Sequence, residues 1–286
     1  MQRPAECKWE RPECIGERPS KRSGHTFTEV GSFAYLFGGC TAAELRDGKM
    51  VPPSPSNELY KLDMGSGGSS YYWTKLGGGG GGDGDKKEAR GAPASGSSSS
   101  LVPSPRWDHT ANRFDDTRIV VFGGFAGSKD EQHLNDVWVL DTATDGWTSV
   151  SAAAGAAAAA AAHDANENGS HDPKSIWKSG PRRSEPPAPR GSHSASIMGD
   201  INNGKSDKVL VVFGGYGGSG YTRKDFADVH ALCLTTWQWY NVNTTGRQPA
   251  PRSGHQSVAV DGNLYVMGGW SSSQQFDVCT FWMARP

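Results

Sequence analysis

The 286 residues carry 29 Lys and Arg against 30 Asp and Glu, and this formal charge of -1 removes the electrostatic basis for binding nucleic acid or a membrane surface. Glycine, at 38 residues, is roughly double its usual share, which predicts many turns. The longest strongly apolar runs, such as Val209 to Phe213, fall far short of the roughly 20 residues that span a bilayer, and five cysteines without a Cys-x-x-Cys pair argue against a disulfide framework or zinc knuckle.

Met1 to Trp9 has no apolar stretch of secretory type, so a cytosolic or nuclear setting with free thiols is expected. Trp9 is followed at +7, +10, +13 and +16 by Gly16, Pro19, Arg22 and His25. The first unit then runs from the Arg22/His25 step through Ala34-Tyr35-Leu36-Phe37-Gly38-Gly39 and Glu58-Leu59-Tyr60-Lys61-Leu62-Asp63 to Trp73. From residue 77 to 104 the chain is a glycine run, a charged patch and a serine run, a low-complexity insertion that builds no core.

The second unit repeats the landmarks: Arg106/His109, Ile119-Val120-Val121-Phe122-Gly123-Gly124, Asp136-Val137-Trp138-Val139-Leu140-Asp141, and a closing tryptophan, either Trp147 or Trp177. Residues 151–187 form a second flexible insertion, poly-alanine followed by polar and proline-rich sequence. In the third unit the series is Arg190/His193, Leu210-Val211-Val212-Phe213-Gly214-Gly215, Asp228-Val229-His230-Ala231-Leu232 and Trp239, with the polar 202–207 stretch read as a hairpin extension. The fourth has Arg252/His255, Leu264-Tyr265-Val266-Met267-Gly268-Gly269 and Asp277-Val278-Cys279-Thr280-Phe281.

With the insertions set aside, each unit has about 55 residues and four short segments of strand composition between Gly- and Pro-rich turns. Gly-Gly lets the backbone leave a strand at positive φ with no Cβ to strike the neighbouring sheet, and the aromatic positions supply area between sheets that cannot build a core alone. Four such units in register resemble the kelch-repeat family over nearly the whole chain outside the insertions. The resemblance implies an all-β fold, a kelch-type β-propeller of four blades in a single domain spanning residues 1–286. Trp239 is followed by Gly246, Pro249, Arg252 and His255 at the offsets seen after Trp9, while the fourth unit lacks its tryptophan. The N-terminal segment is therefore expected to complete the last blade and seal the ring. Because kelch propellers more often have five to seven blades, the other reading is a part of a larger propeller.

The resemblance implies a non-catalytic interaction scaffold or adaptor whose partner is a protein or peptide, with no cofactor and no metal. Candidate contacts lie on the connections after each Gly-Gly, at Arg46, Lys49, Phe125, Lys129, Tyr216, Tyr221, Arg223 and Trp270, where exposed aromatics and arginines are usual interface anchors. The repeat arginines Arg106, Arg190 and Arg252, at the mouth of the ring, are candidates for holding an acidic group, with pairing between blades to carboxylates such as Asp136 and Asp228 as the plainer reading. A metal ring of His25, His109, His193 and His255 is disfavoured, since repeat-register residues follow the pseudo-symmetry for structural reasons. Gly215-Tyr216-Gly217-Gly218-Ser219-Gly220 matches a dinucleotide fingerprint, but no helix with apolar periodicity follows it. Some kelch-like propellers are enzymes, such as copper-radical oxidases and sugar epimerases, yet the tyrosine, cysteine and histidine set of the copper type cannot be assembled from matched positions. A third reading makes the chain a fragment of a larger kelch adaptor.

Overall fold

A computed structural model describes residues 9, 11–46, 49–65, 70–78, 102–127, 133–150, 182–199, 208–218, 222–244, 246–272, 274–277 and 281–284. Their regular secondary structure is almost entirely β, organised as four principal antiparallel sheets in chain order. From inner to outer strand, the first sheet is Thr26–Val30, Phe33–Phe37, Leu59–Asp63 and Ser70–Gly77. The second is Thr110–Arg113, Arg118–Phe125, His133–Asp141 and Gly146–Ser149, and the third Ser194–Gly199, Lys208–Phe213, Val229–Cys233 and Trp239–Asn241. The fourth has Gln256–Val260, Asn263–Met267 and Phe281–Ala284 among the described residues.

Each second strand is the apolar run before Gly-Gly. In the first three sheets it is buried on both faces, so its residues read as a continuous hydrophobic block, whereas burial alternates along Asn263–Met267 of the fourth. Alternate side chains serve opposite neighbours: Ile119 and Val121 join Tyr35, Phe37 and Leu59 of the first sheet, while Val120 and Phe122 join Leu210, Val212 and Trp239 of the third. Val209, Val211 and Phe213 then meet Leu264 and Val266 of the fourth. Fully burying a side chain such as Phe122 or Leu210 contributes about 1.5–3 kcal/mol, so three such layers hold the stack together. The four inner strands lie in sequence around a lumen of about 640 Å³ that all four sheets line.

The all-β stack agrees with the sequence reading, but the N-terminal segment goes elsewhere. Glu13–Gly16 pairs in parallel with Ser70–Gly77, Glu13 opposite Ser70 and Gly16 opposite Trp73. It thus extends the first sheet and does not complete the fourth; the open backbone edge of Ser70–Gly77 satisfies the segment's ladder hydrogen bonds. Trp9, expected to stand in the last blade, is 99% exposed. The third sheet's outer edge is similarly taken by Arg182–Ser184, antiparallel to Trp239–Asn241. Residues 182–187 of the expected second insertion are among the described residues, with Arg182–Ser184 in the sheet and Pro187 buried. Trp147 stands in the outer strand of the second sheet opposite Leu140, whereas Trp177 and the 202–207 stretch lie outside the described residues.

Candidate functional site

The repeat arginines are consumed by the frame. Arg106 and Arg190 have no exposed surface and Arg252 is 3% exposed. Arg106 donates to both carboxylate oxygens of Asp136 at 2.8 Å, to the Gly123 carbonyl and to Ser104. Arg190 repeats this with Asp228 at 2.6 and 2.9 Å and with the Gly214 carbonyl, and Arg22 with Glu58 and Gly38. Arg252 donates to the Gly268 and Ala250 carbonyls. These ion pairs lie within one sheet, where pairing between blades was expected, and they tie the loop before the inner strand to the Gly-Gly turn and the third strand. Arg106, Arg190 and Arg252 are thereby removed from the candidate partner contacts, because their guanidinium groups are buried and already bonded.

The following residue of the same step, histidine, joins neighbouring sheets. His109 Nε2 lies 3.0 Å from the Thr26 hydroxyl, His193 Nε2 3.0 Å from Thr110, and His255 Nε2 2.8 Å from Ser194. Each ring also stands edge-on to the phenylalanine before the preceding Gly-Gly, at 5.2 Å for Phe37–His109 and 5.1 Å for both Phe122–His193 and Phe213–His255. These histidines are sheet-to-sheet fasteners, and among the described residues no group of three His, Cys, Asp or Glu converges as a metal site.

Burial, with the nearby Arg190 charge adding to it, pushes His193 down to about 3, and burial beside Arg252 pushes His255 down to about 4. Burial likewise holds His109 well below the ordinary histidine range. All three are neutral in the fold. The unfolded chain takes up protons below about pH 6.5, so acid favours unfolding: the stabilisation is complete above that value and is lost as pH falls towards the folded-state values. Each histidine is expected to cost about 1.4 kcal/mol on going from pH 7.5 to 5.5. His193→Gln should lose about that much less over the same interval, read as the difference in urea midpoints at the two pH values; an unchanged pH dependence would refute the assignment.

Just before each histidine stands a residue at positive φ: Gly24 (64°), Asp108 (52°), Ser192 (51°) and Gly254 (63°). This geometry turns the peptide groups around the lumen, so that Asp108 N–H donates to Gly24 O at 2.8 Å, Ser192 N–H to Asp108 O at 2.9 Å, and Gly254 N–H to Ser192 O at 2.8 Å. The Ser192 hydroxyl also donates to the Asp108 carboxylate. Sequence reading missed this rim, although its signal was present as Gly, Asp, Ser and Gly at one offset, all residues that tolerate the left-handed region.

On the same side as the rim, aromatic side chains collect on the connections that follow Gly-Gly. Trp107 stacks near Phe125 with centroids 5.4 Å apart, Phe125 meets His133 at 4.6 Å, and His133 meets Tyr216 at 5.7 Å. Trp270, 49% exposed, lies beside Gly254 at the lumen wall. Of the remaining candidates, Lys49 is exposed on the hairpin formed by Glu44–Arg46 and Lys49–Val51, and Arg223 is partly exposed. The Arg46 side chain, Lys129 and Tyr221 lie outside the described residues. The structure therefore brings Phe125 and Tyr216 together through His133, a residue sequence reading did not single out, and sets Lys49 apart on its own hairpin.

The model of the KLHDC2/KLHL20/DRC7 Kelch-repeats domain matches residues 5–171 and 172–284. Among curated proteins, the chain is similar to the flagellar outer arm dynein alpha chain of Chlamydomonas reinhardtii, 29% identical over 94% of this chain and 5% of that protein. It also resembles the host cell factor of Drosophila melanogaster, 26% identical over 92% and 14%, and human host cell factor 2, 25% identical over 90% and 27%. The chain thus spans about a quarter or less of the length of these relatives.

Proposed function

Since the chain belongs to the kelch-repeat family, we propose that it is a non-catalytic interaction scaffold that holds a protein or peptide partner on the face bearing the lumen rim. The observation that carries this reading is the division of labour among its side chains. The repeat arginines and histidines are buried or bonded within the frame, whereas Phe125, Tyr216 and Trp270 lie on the connections of one face and retain accessible surface. Large aromatics on a rigid frame anchor partners at low entropic cost. Arg223, partly exposed on the connection that follows Tyr216, belongs to the same face, and a cytoplasmic or nuclear setting is part of the same proposal.

A matched comparison tests this. The immobilised chain is expected to retain a defined partner that Tyr216→Ser/Trp270→Ser loses by at least about tenfold in affinity. Tyr72→Ser, an exposed aromatic of the first sheet far along the chain from these connections, should retain it. Equal retention by both variants would refute the rim-face assignment. The much greater length of the relatives favours a second reading in which this scaffold acts as one module of a larger adaptor.

A further inference from the structure

The three interfaces between sheets obey one rule, and the two end faces carry its two halves. In each interface the earlier sheet presents a phenylalanine before Gly-Gly, and the later sheet receives it. Phe37 meets His109 and Trp147, at 5.2 and 4.7 Å, and Phe122 meets His193 and Trp239, both at 5.1 Å. At the fourth sheet's far face, Met267 holds the presenting position and is 46% exposed. At the first sheet's far face, His25, exposed, and Trp73, partly exposed, hold the receiving positions, with Phe27 near Trp73 at 6.1 Å. Among the described residues no hydrophobic cluster joins the first sheet to the fourth.

The polar contact beside each aromatic contact sharpens the match. Thr28 donates to the Ala111 carbonyl, Asn112 to the Ala195 carbonyl, and Ser196 bonds Ser257, so a polar side chain faces a small residue across every interface. At the end faces both members change together. Val258 replaces the polar residue and is 53% exposed; Phe27 replaces the small one and is 54% exposed. Val260, at 47%, extends the apolar strip. Val258 offers no side-chain hydrogen bond, and the bulkier Phe27 offers apolar area in its place. Gln256, at the position of Thr26, Thr110 and Ser194, retains an amide able to reach a histidine such as His25. The free faces are thus complementary to each other in the terms of the interfaces already formed.

We propose that this chain associates with a second copy of itself, head to tail, the fourth sheet of each copy packing on the first sheet of the other to close a two-fold ring of eight sheets. The occupant is a second copy because the substitutions at the two ends compensate each other, and continuity with three like interfaces supplies the geometry. Apolar end faces of this kind are what a stack of repeats must cap or bury.

Native mass spectrometry and sedimentation equilibrium on the purified full chain are expected to give a dimer. Phe27→Glu spoils the receiving face and Val258→Glu the presenting face; both positions are exposed in the single chain, so each variant should fold with an unchanged circular dichroism spectrum. Each alone should be monomeric, with self-association weakened by at least about 100-fold, because a charge would be buried without a partner. Phe27→Glu mixed one to one with Val258→Lys should form a heterodimer, since one interface then keeps Phe27 and Val258 while the other sets the introduced carboxylate against the introduced ammonium. A monomeric wild type at up to about 100 µM, dimers that survive either substitution, failure of the mixture to pair, or open-ended polymers would each overturn the proposal.

Discussion

Arg190→Met should destabilise the chain by about 3–5 kcal/mol, lowering the urea midpoint with little change in slope. Arg190 has no solvent-exposed surface, and its guanidinium makes charge-assisted bonds to both oxygens of Asp228 and a further bond to the Gly214 carbonyl. Methionine fills part of the volume but leaves that carbonyl and the Ala188 carbonyl without their donor. The stack over Phe226, whose ring centroid lies 4.1 Å from the Arg190 guanidinium carbon, is lost as well. Asp228 retains its bond to His230 and is 41% exposed, so water can solvate much of the orphaned carboxylate, which keeps the expected loss from rising further. A loss below about 1 kcal/mol would show that the ion pair is a surface ornament and that the repeat arginine contributes little.

Gly123→Ala is expected to cost about 2–4 kcal/mol. Its φ of +66° alone disfavours an L side chain by about 1 kcal/mol. The added Cβ would in addition lie 2.8 Å from the Arg190 carbonyl oxygen and 3.0 Å from His193 Cε1, groups of the next sheet that cannot move without opening the interface. Gly31→Ala is the matched comparison: φ is +63°, and no atom lies within 4 Å of its would-be Cβ, so only the conformational cost of about 1 kcal/mol should appear. The difference between the two, measured by thermal or urea unfolding, isolates the contact between sheets. Equal losses would mean that Gly-Gly serves the turn alone.

The stack of sheets was legible in the sequence because its determinants are local and repeated. Phe37, Phe122 and Phe213 each close an apolar strand before Gly-Gly, and the structure places all three in the same contact with the histidine of the next unit. Strand identity, the sheet-facing role of Trp147 and Trp239 and the frame histidines follow from that register. Two inferences failed where register gave no information. The offsets linking Trp9 to Trp239 describe spacing along the chain, but strand pairing is decided by which backbone edge is open, and the edge of Ser70–Gly77 claimed the N-terminal segment. Arg106, just before the innermost strand, was expected either to hold an acidic group at the mouth or to pair with a carboxylate between blades; its partner Asp136 lies 30 residues on, within its own sheet, and periodicity alone does not specify which sheet supplies the carboxylate. The aromatic row was half visible, since Phe125 and Tyr216 stand in the expected connections but His133, which links them, belongs to no repeated landmark.

The rim hydrogen bonds from Gly24 to Asp108 to Ser192 to Gly254 cross intervals of 84, 84 and 62 residues with nearly the same geometry. Nothing in that joint senses how much chain lies between successive units, because the donors and acceptors are peptide groups next to a conserved turn shape and the intervening residues leave from the outer edges. Closing a longer loop costs only about 0.6 kcal/mol per doubling of its length. Lengthening or shortening the glycine, serine and alanine tracts is therefore expected to leave these joints unchanged, which decouples chain length from the spacing of the sheets.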